Sequence, residues 1–215
     1  MLFDAGDVLY HRPRRGILLN SFLSAMGRLK NPPDQERLAD LKRQAHAGQI
    51  TKEQYQDAML ALYGIFDPSS RVRGRQLMDE EQADIDFFDG VPETLHRLKK
   101  AGVRLGVVTN TFNPTNEKLE WFRRVKIDSI WDSFATSCEL KICKPDPRIY
   151  RAALDPLGVR PEDAAFVGHA TTELDGAKSL GLHTIAFNRD NDMVVADYIL
   201  WRFSELLALA GIDGS

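Results

Sequence analysis

Cysteine is scarce: Cys138 and Cys143 are the only two in 215 residues. Two cysteines cannot build a disulfide framework, and these two lack the paired spacing of a zinc site, so a reducing cytosol is the expected compartment and neither sulfur is assigned chemistry. Charge of one sign is missing as well. Lys and Arg total 28 against 31 Asp and Glu, a net of -3, which gives no field for holding nucleic acid or an anionic membrane. No apolar run reaches the roughly 20 residues that span a bilayer, and the amino terminus has no basic region leading into an apolar stretch. These absences leave small-molecule chemistry in the cytoplasm as the expectation, with no nucleic-acid or membrane partner, and they leave the oligomeric state open.

Hydrophobic residues make up 43% and charged residues 27% of the chain, ordinary proportions for one globular core with an insertion. From residue 90 onward, apolar runs of strand length alternate with helix-length periodic segments, the pattern of a doubly wound parallel sheet covered on both faces. Predicted strands are Val103–Val108, Ser133–Thr136, Ala164–Val167, His183–Phe187 and a short one at Tyr198–Leu200. Predicted helices are Val91 to Gly102, Asn116–Val125, Pro147–Leu157, Thr172–Leu180 and a last one from Ser204. Between Pro13 and Phe87 every apolar pattern has helical spacing, which predicts an all-helical cap over 13–87 and an α/β core over 1–12 and 88–215. Leu18, Phe22 and Met26 mark its first helix. After the breaker Asn31-Pro32-Pro33, Leu38, Leu41 and Ala45 mark a second. Thr51 and Gln54 form a capping box for a third, with Tyr55, Met59 and Leu62 on one face. Arg71–Ala83 is the fourth.

The chemistry-bearing residues follow the strands. In Phe3-Asp4-Ala5-Gly6-Asp7-Val8-Leu9-Tyr10 a carboxylate stands where a short apolar strand meets a glycine-containing turn, and the carboxyl edge of a parallel sheet is where ligands bind. Such an aspartate serves as a nucleophile or merely stabilises the turn. Only Met1, Leu2 and Phe3 precede it, short of the usual five or six residues, so a clipped first strand is expected. Three more motifs end strands and face the same edge: Thr109-Asn110, Lys144-Pro145-Asp146-Pro147, and Gly168-His169 with Glu173.

Taken in order and spacing, these four motifs resemble the haloacid dehalogenase superfamily over nearly the whole chain, including a helical cap between motifs one and two. The resemblance implies a Rossmann-like three-layer core with Asp4 as nucleophile, the Thr109 hydroxyl binding the transferring group, and Lys144 neutralising its charge. It also implies magnesium held by Asp4, the Gly6 carbonyl, Glu173 and waters; Asp175 fits that spacing less well. A phosphoryl group spreads negative charge over its oxygens, so a fixed ammonium in a water-poor pocket stabilises it. As purely structural alternatives, Thr109 caps a turn and Lys144 is a solvated loop lysine. Asn110, Thr111, Phe112 and Asn113 are expected at the pocket rim in contact with substrate, and Arg12, Tyr55 and Arg73 are the candidates from the cap.

Two departures stand out. Phosphatases of the superfamily carry a second aspartate two residues after the nucleophile, and here that position is Gly6. Asp7, one residue on, is expected to stabilise a turn instead. In the fourth motif His169 stands where an aspartate is usual, and imidazole is a poor magnesium ligand. His169 either supplies the proton transfer that Gly6 cannot or simply hydrogen-bonds Asp4 or the backbone. The expected function is hydrolysis of a small phosphorylated metabolite. The alternatives are carbon-halogen hydrolysis, as by a 2-haloacid dehalogenase, and a fold that binds a phosphorylated ligand or a partner without turnover.

Overall fold

A computed structural model describes residues 1–30 and 33–212. The breaker residues Asn31 and Pro32 lie outside that range. In chain order the elements are β1 (Leu2–Phe3), β2 (Tyr10–His11), α1 (Ile17–Ala25), α2 (Gln35–His46), α3 (Lys52–Leu62), α4 (Pro68–Ala83) and β3 (Asp86–Phe87). These are followed by α5 (Val91–Lys100), β4 (Gly106–Thr109), α6 (Thr115–Arg123), β5 (Ser133–Thr136), α7 (Ser137–Leu140) and α8 (Pro147–Leu154). The chain then continues through β6 (Ala165–Gly168), α9 (Thr171–Ser179), β7 (His183–Phe187), β8 (Tyr198–Leu200) and α10 (Leu206–Leu209).

Six parallel strands run in the order β5-β4-β1-β6-β7-β8, so β1 is central despite its two residues. It pairs with Gly106–Val107 on one side and Phe166–Val167 on the other. Side chains alternate across a strand, and both faces are apolar. Phe3, Val107, Val167 and Ile185 enter one core with Leu95, Phe122 and Phe203. Their neighbours Leu2, Val108, Phe166 and Ala186 enter the other with Ile149, Tyr150 and Leu174. The predicted strand at 103–108 is shorter than expected. The Val103 N–H still closes the end of α5 on the Leu98 carbonyl, and Leu105 is bonded to Asp132 through both backbone groups, so pairing with β1 begins only at Gly106. The last helix likewise opens as a 3-10 turn over Phe203–Glu205.

The insertion is helical, as predicted, with one addition. Tyr10 and His11 pair antiparallel with Phe87 and Asp86, a two-stranded stem that the helical spacing of 13–87 does not reveal. Helix α4 starts at Pro68, three residues before the expected Arg71, because Asp67 accepts from the Ser70 N–H and proline suits the first turn. The Thr51/Gln54 capping box forms on α3. The expected inner face of α1 is corrected: Leu19 and Leu23 are buried, Leu18 and Phe22 are half-buried and Met26 is exposed. In α3, Gln56 and Leu60 are buried alongside Tyr55, whereas Met59 and Leu62 are half-buried. The cap has its own apolar cluster, which includes Phe112 from the loop after β4; the Tyr55 and Phe112 rings lie 4.7 Å apart. Two further contacts tie cap to core. Lys52 reaches Glu117 on α6 at 2.6 Å, and Gly48, at φ +62°, lies so close to the Cys138 carbonyl that a methyl group there would overlap it.

Candidate active site

The carboxyl ends of β1, β4 and β6, with the loop before α8, converge as their apolar strands dictate. Asp4 follows β1, its N–H donating to the Val167 carbonyl of β6 at 2.9 Å. Its Oδ1 accepts from the Ala5 N–H at 2.8 Å and lies 2.7 Å from the Lys144 Nζ. The same ammonium is 2.8 Å from the Glu173 Oε2 in the first turn of α9, and the Lys144 side chain has no exposed surface. One buried cation therefore bridges two carboxylates. Burial opposes the charge on Asp4, yet Lys144 and then His169 outweigh it and hold its pKa well below the carboxylate range. Burial likewise opposes the charge on Lys144, but Asp4 and Glu173 raise its pKa. Glu173 goes the other way: burial raises its pKa despite Lys144.

Asp4 Oδ2 faces His169, whose Nε2 is 3.4 Å away. The other ring nitrogen, Nδ1, is 2.6 Å from the Asp190 Oδ1, and the Asp190 N–H donates to the His169 carbonyl at 3.2 Å. Burial lowers the imidazole pKa, but bonds and charge from Asp4 and Asp190 prevail and raise it to about 9. Asp190 was not among the expected residues. The signal was available, because it lies just past the carboxyl end of β7, on the same sheet edge.

The remaining expected residues divide. Thr109 ends β4, is buried, lines the cavity, and its hydroxyl has no partner among the described residues. Asn110 reaches the cavity, but its side chain is engaged with the Lys144 backbone: Oδ1 accepts from the Lys144 N–H at 2.8 Å and Nδ2 donates to its carbonyl at 3.1 Å. Thr111 is similarly engaged, accepting from the Asn113 N–H at 3.0 Å. Both lock the loops that carry Thr109 and Lys144. Gly6 has open space where a side chain would begin. Asp7 holds a left-handed turn at φ 60°; its N–H donates to the Tyr10 carbonyl and its own carbonyl accepts from the Asn188 Nδ2. Of the cap candidates, Arg12 and Tyr55 line the cavity. Arg73 is corrected: it is absent from the cavity wall and pairs at the surface with Glu80 at 3.4 Å.

Between sheet edge and cap lies a cavity of about 490 Å³. Asp4, His169 and Glu173 each offer one ligand atom within 4.8 Å of the others. For magnesium the two carboxylates and the Gly6 carbonyl supply the hard oxygen donors that this ion requires. Of Asp4, His169 and Glu173, His169 is the poorest donor for this ion: imidazole nitrogen is softer than a carboxylate, and a pKa raised to about 9 makes protonation compete with metal at Nε2. The donor set therefore fits the ion, with two nearby cations weakening its hold. No described helix is long and apolar enough to cross a membrane.

A family profile described as haloacid dehalogenase-like hydrolase matches residues 18–187. The (S)-2-haloacid dehalogenase 4A of Burkholderia cepacia is 36% identical over 110 residues, covering 51% of this chain and 46% of that protein. Pyrophosphatase PpaX of Bacillus velezensis is 30% identical over 162 residues, covering 73% and 69%. The match thus spans about half the length of the first of these relatives. Among solved structures, a 2-haloacid dehalogenase from Pseudomonas syringae shares the fold at TM-score 0.72 and 20% identity, over 98% of this chain and 96% of that one.

Proposed function

This chain belongs to the haloacid dehalogenase-like hydrolases, and we propose that it hydrolyses a small phosphate monoester through an aspartyl-phosphate on Asp4. The observation that carries this reading is the Lys144 ammonium wedged between Asp4 and Glu173, beside an unpartnered Thr109 hydroxyl. Lys144 holds Oδ1, which leaves Oδ2 as the attacking oxygen. As the Oδ2–phosphorus bond forms and the ester bond breaks, Lys144 and Thr109 meet the charge on the phosphoryl oxygens. His169, aimed by Asp190, donates its Nε2 proton to the leaving oxygen. The neutral ring then takes a proton from the water that hydrolyses the acyl phosphate. Magnesium, when held by Asp4, the Gly6 carbonyl and Glu173, supplies further neutralisation of phosphoryl charge; phosphatases of this family typically use it.

A second reading, halide displacement from a 2-haloacid, is favoured by Gly6, because a departing halide needs no proton. Both activities occur among the relatives. Phosphate release from an aryl phosphate, abolished in Asp4→Asn, supports the first reading. Halide release without phosphate release would replace it with the second, and silence in both assays would reduce the site to ligand binding.

A further inference from the structure

Beyond the Asp4–Lys144 cluster, the cavity is lined in part by cations without an ion-pair partner among the described residues. Arg12, Arg15 and Lys42 all line it, and none has a carboxylate at ion-pair distance among the described residues. The Arg12 Nε is buried with no hydrogen-bond partner. Among the described residues the ammonium of Lys118, buried on α6, meets the Tyr10 hydroxyl at 2.8 Å and the Tyr10 and Trp121 rings, and no carboxylate. Two neighbours register this field. Burial and then Lys42, Lys118, Arg12 and Lys144 lower the His46 pKa to about 4. Desolvation and then Arg15 and Arg12 lower that of Lys42.

The wall also carries acids. Asp4 and Glu173 are matched by Lys144, and Glu81 accepts from the Leu19 N–H. Asp7 alone faces the cationic group without a partner of its own. Elsewhere in the cap, arginines at 14, 43, 71, 73 and 75 are paired with carboxylates, while Arg28 and Arg37 form no ion pair among the described residues and are absent from the cavity lining. Arg12, Arg15 and Lys42 differ from these two in sharing one wall. Placing like charges together around an enclosed space costs free energy that an anion arriving there recovers.

We propose that the pocket takes substrates with an anionic group at each end: a phosphoryl group at Asp4 and Lys144, and a second carboxylate or phosphate held by Arg12, Arg15 and Lys42. This rests on the phosphatase reading and narrows it to bis-anionic esters. A neutral alcohol phosphate leaves the cap cations unmatched. A second phosphate suits the arginine forks, as does a carboxylate.

Calorimetry of the wild-type protein with non-hydrolysable phosphonates tests it. The probes are ethylphosphonate, the series phosphonoacetate, 3-phosphonopropionate and 4-phosphonobutyrate, and propane-1,3-bisphosphonate. The best bis-anion is expected to bind at least tenfold more tightly than ethylphosphonate. Arg15→Gln and Lys42→Gln, at exposed positions where losing a like charge should not lower the Tm, should each cut that preference at least threefold. A preference confined to the carboxylates or to the bisphosphonate identifies the second group. Equal affinity for mono- and bis-anions, or a preference that survives in the double variant, overturns the proposal. Failure of the phosphatase reading looks different: bis-anions still bind preferentially while no aryl phosphate is hydrolysed. If none of the phosphonates binds, both readings fall.

Discussion

The two walls of the cavity use charge in opposite ways. At the sheet edge the charged side chains around Asp4 are already matched within the protein: Lys144 between Asp4 and Glu173, and His169 between Asp4 and Asp190. On the cap wall Arg12, Arg15 and Lys42 are unmatched. A reacting centre gains from groups fixed before substrate arrives, because no reorganisation is then needed at the transition state. A recognition surface gains from groups whose partner is the ligand itself. On the proposed reading the edge serves turnover and the cap selection, and variants on the two walls should separate accordingly.

The sharpest break comes from Asp4→Asn, which removes the nucleophile while keeping its shape; kcat is expected to fall about 10⁴-fold or more. Comparable turnover in single-turnover phosphate release would take the chemistry away from the edge. Next, His169→Asn should lower kcat about 10²-fold with little change in KM. Gly6→Asp, which enters open space, should restore about that factor in the same background by supplying the missing acid. If His169→Asn alone leaves kcat unchanged across neutral pH, His169 is not the proton carrier.

Smaller is the effect on magnesium. Removing one of the two cations beside the carboxylates, in His169→Asp, is expected to tighten magnesium binding about tenfold by calorimetry. Unchanged affinity would mean that the ion does not sit at Asp4 and Glu173.

The smallest effect belongs to the cap wall and concerns stability. The folded pKa of His46, about 4, lies below its unfolded value of 6.5. The unfolded chain therefore takes the proton first: stability is full above pH 6.5 and declines as pH falls toward 4, by on the order of 2–3 kcal/mol. His46→Gln should flatten that decline in chemical denaturation measured at several pH values. A saturating anion that covers the cap cations is expected to raise the His46 pKa and shrink the decline; an anion that leaves them uncovered should not alter it.

How much of this was legible in the sequence follows from the range of the forces involved. Strands buried on both faces read as apolar runs punctuated by turns, so the tips carrying Asp4, Thr109, Lys144 and Glu173 could be placed without coordinates. Helix phase could not be read in the same way. Ile17, Leu18, Leu19, Phe22 and Leu23 make α1 apolar over most of its circumference, and its packing against α4 turned Leu19 and Leu23 inward. The start of β4 was set by the position of β1, a neighbour far away in sequence. Asp190 and the Arg12–Arg15–Lys42 group escaped for a related reason. Local pattern says which side chains leave an element on one side, but not which loop or lid they will meet.

Gly48 shows how a missing side chain fixes a spacing. Because it meets the Cys138 carbonyl with nothing interposed, the gap between cap and core at that point is set by main-chain atoms alone. Gly48→Ala would act as a shim, since its methyl group has no room beneath that carbonyl, and is expected to push the two parts of the molecule apart there.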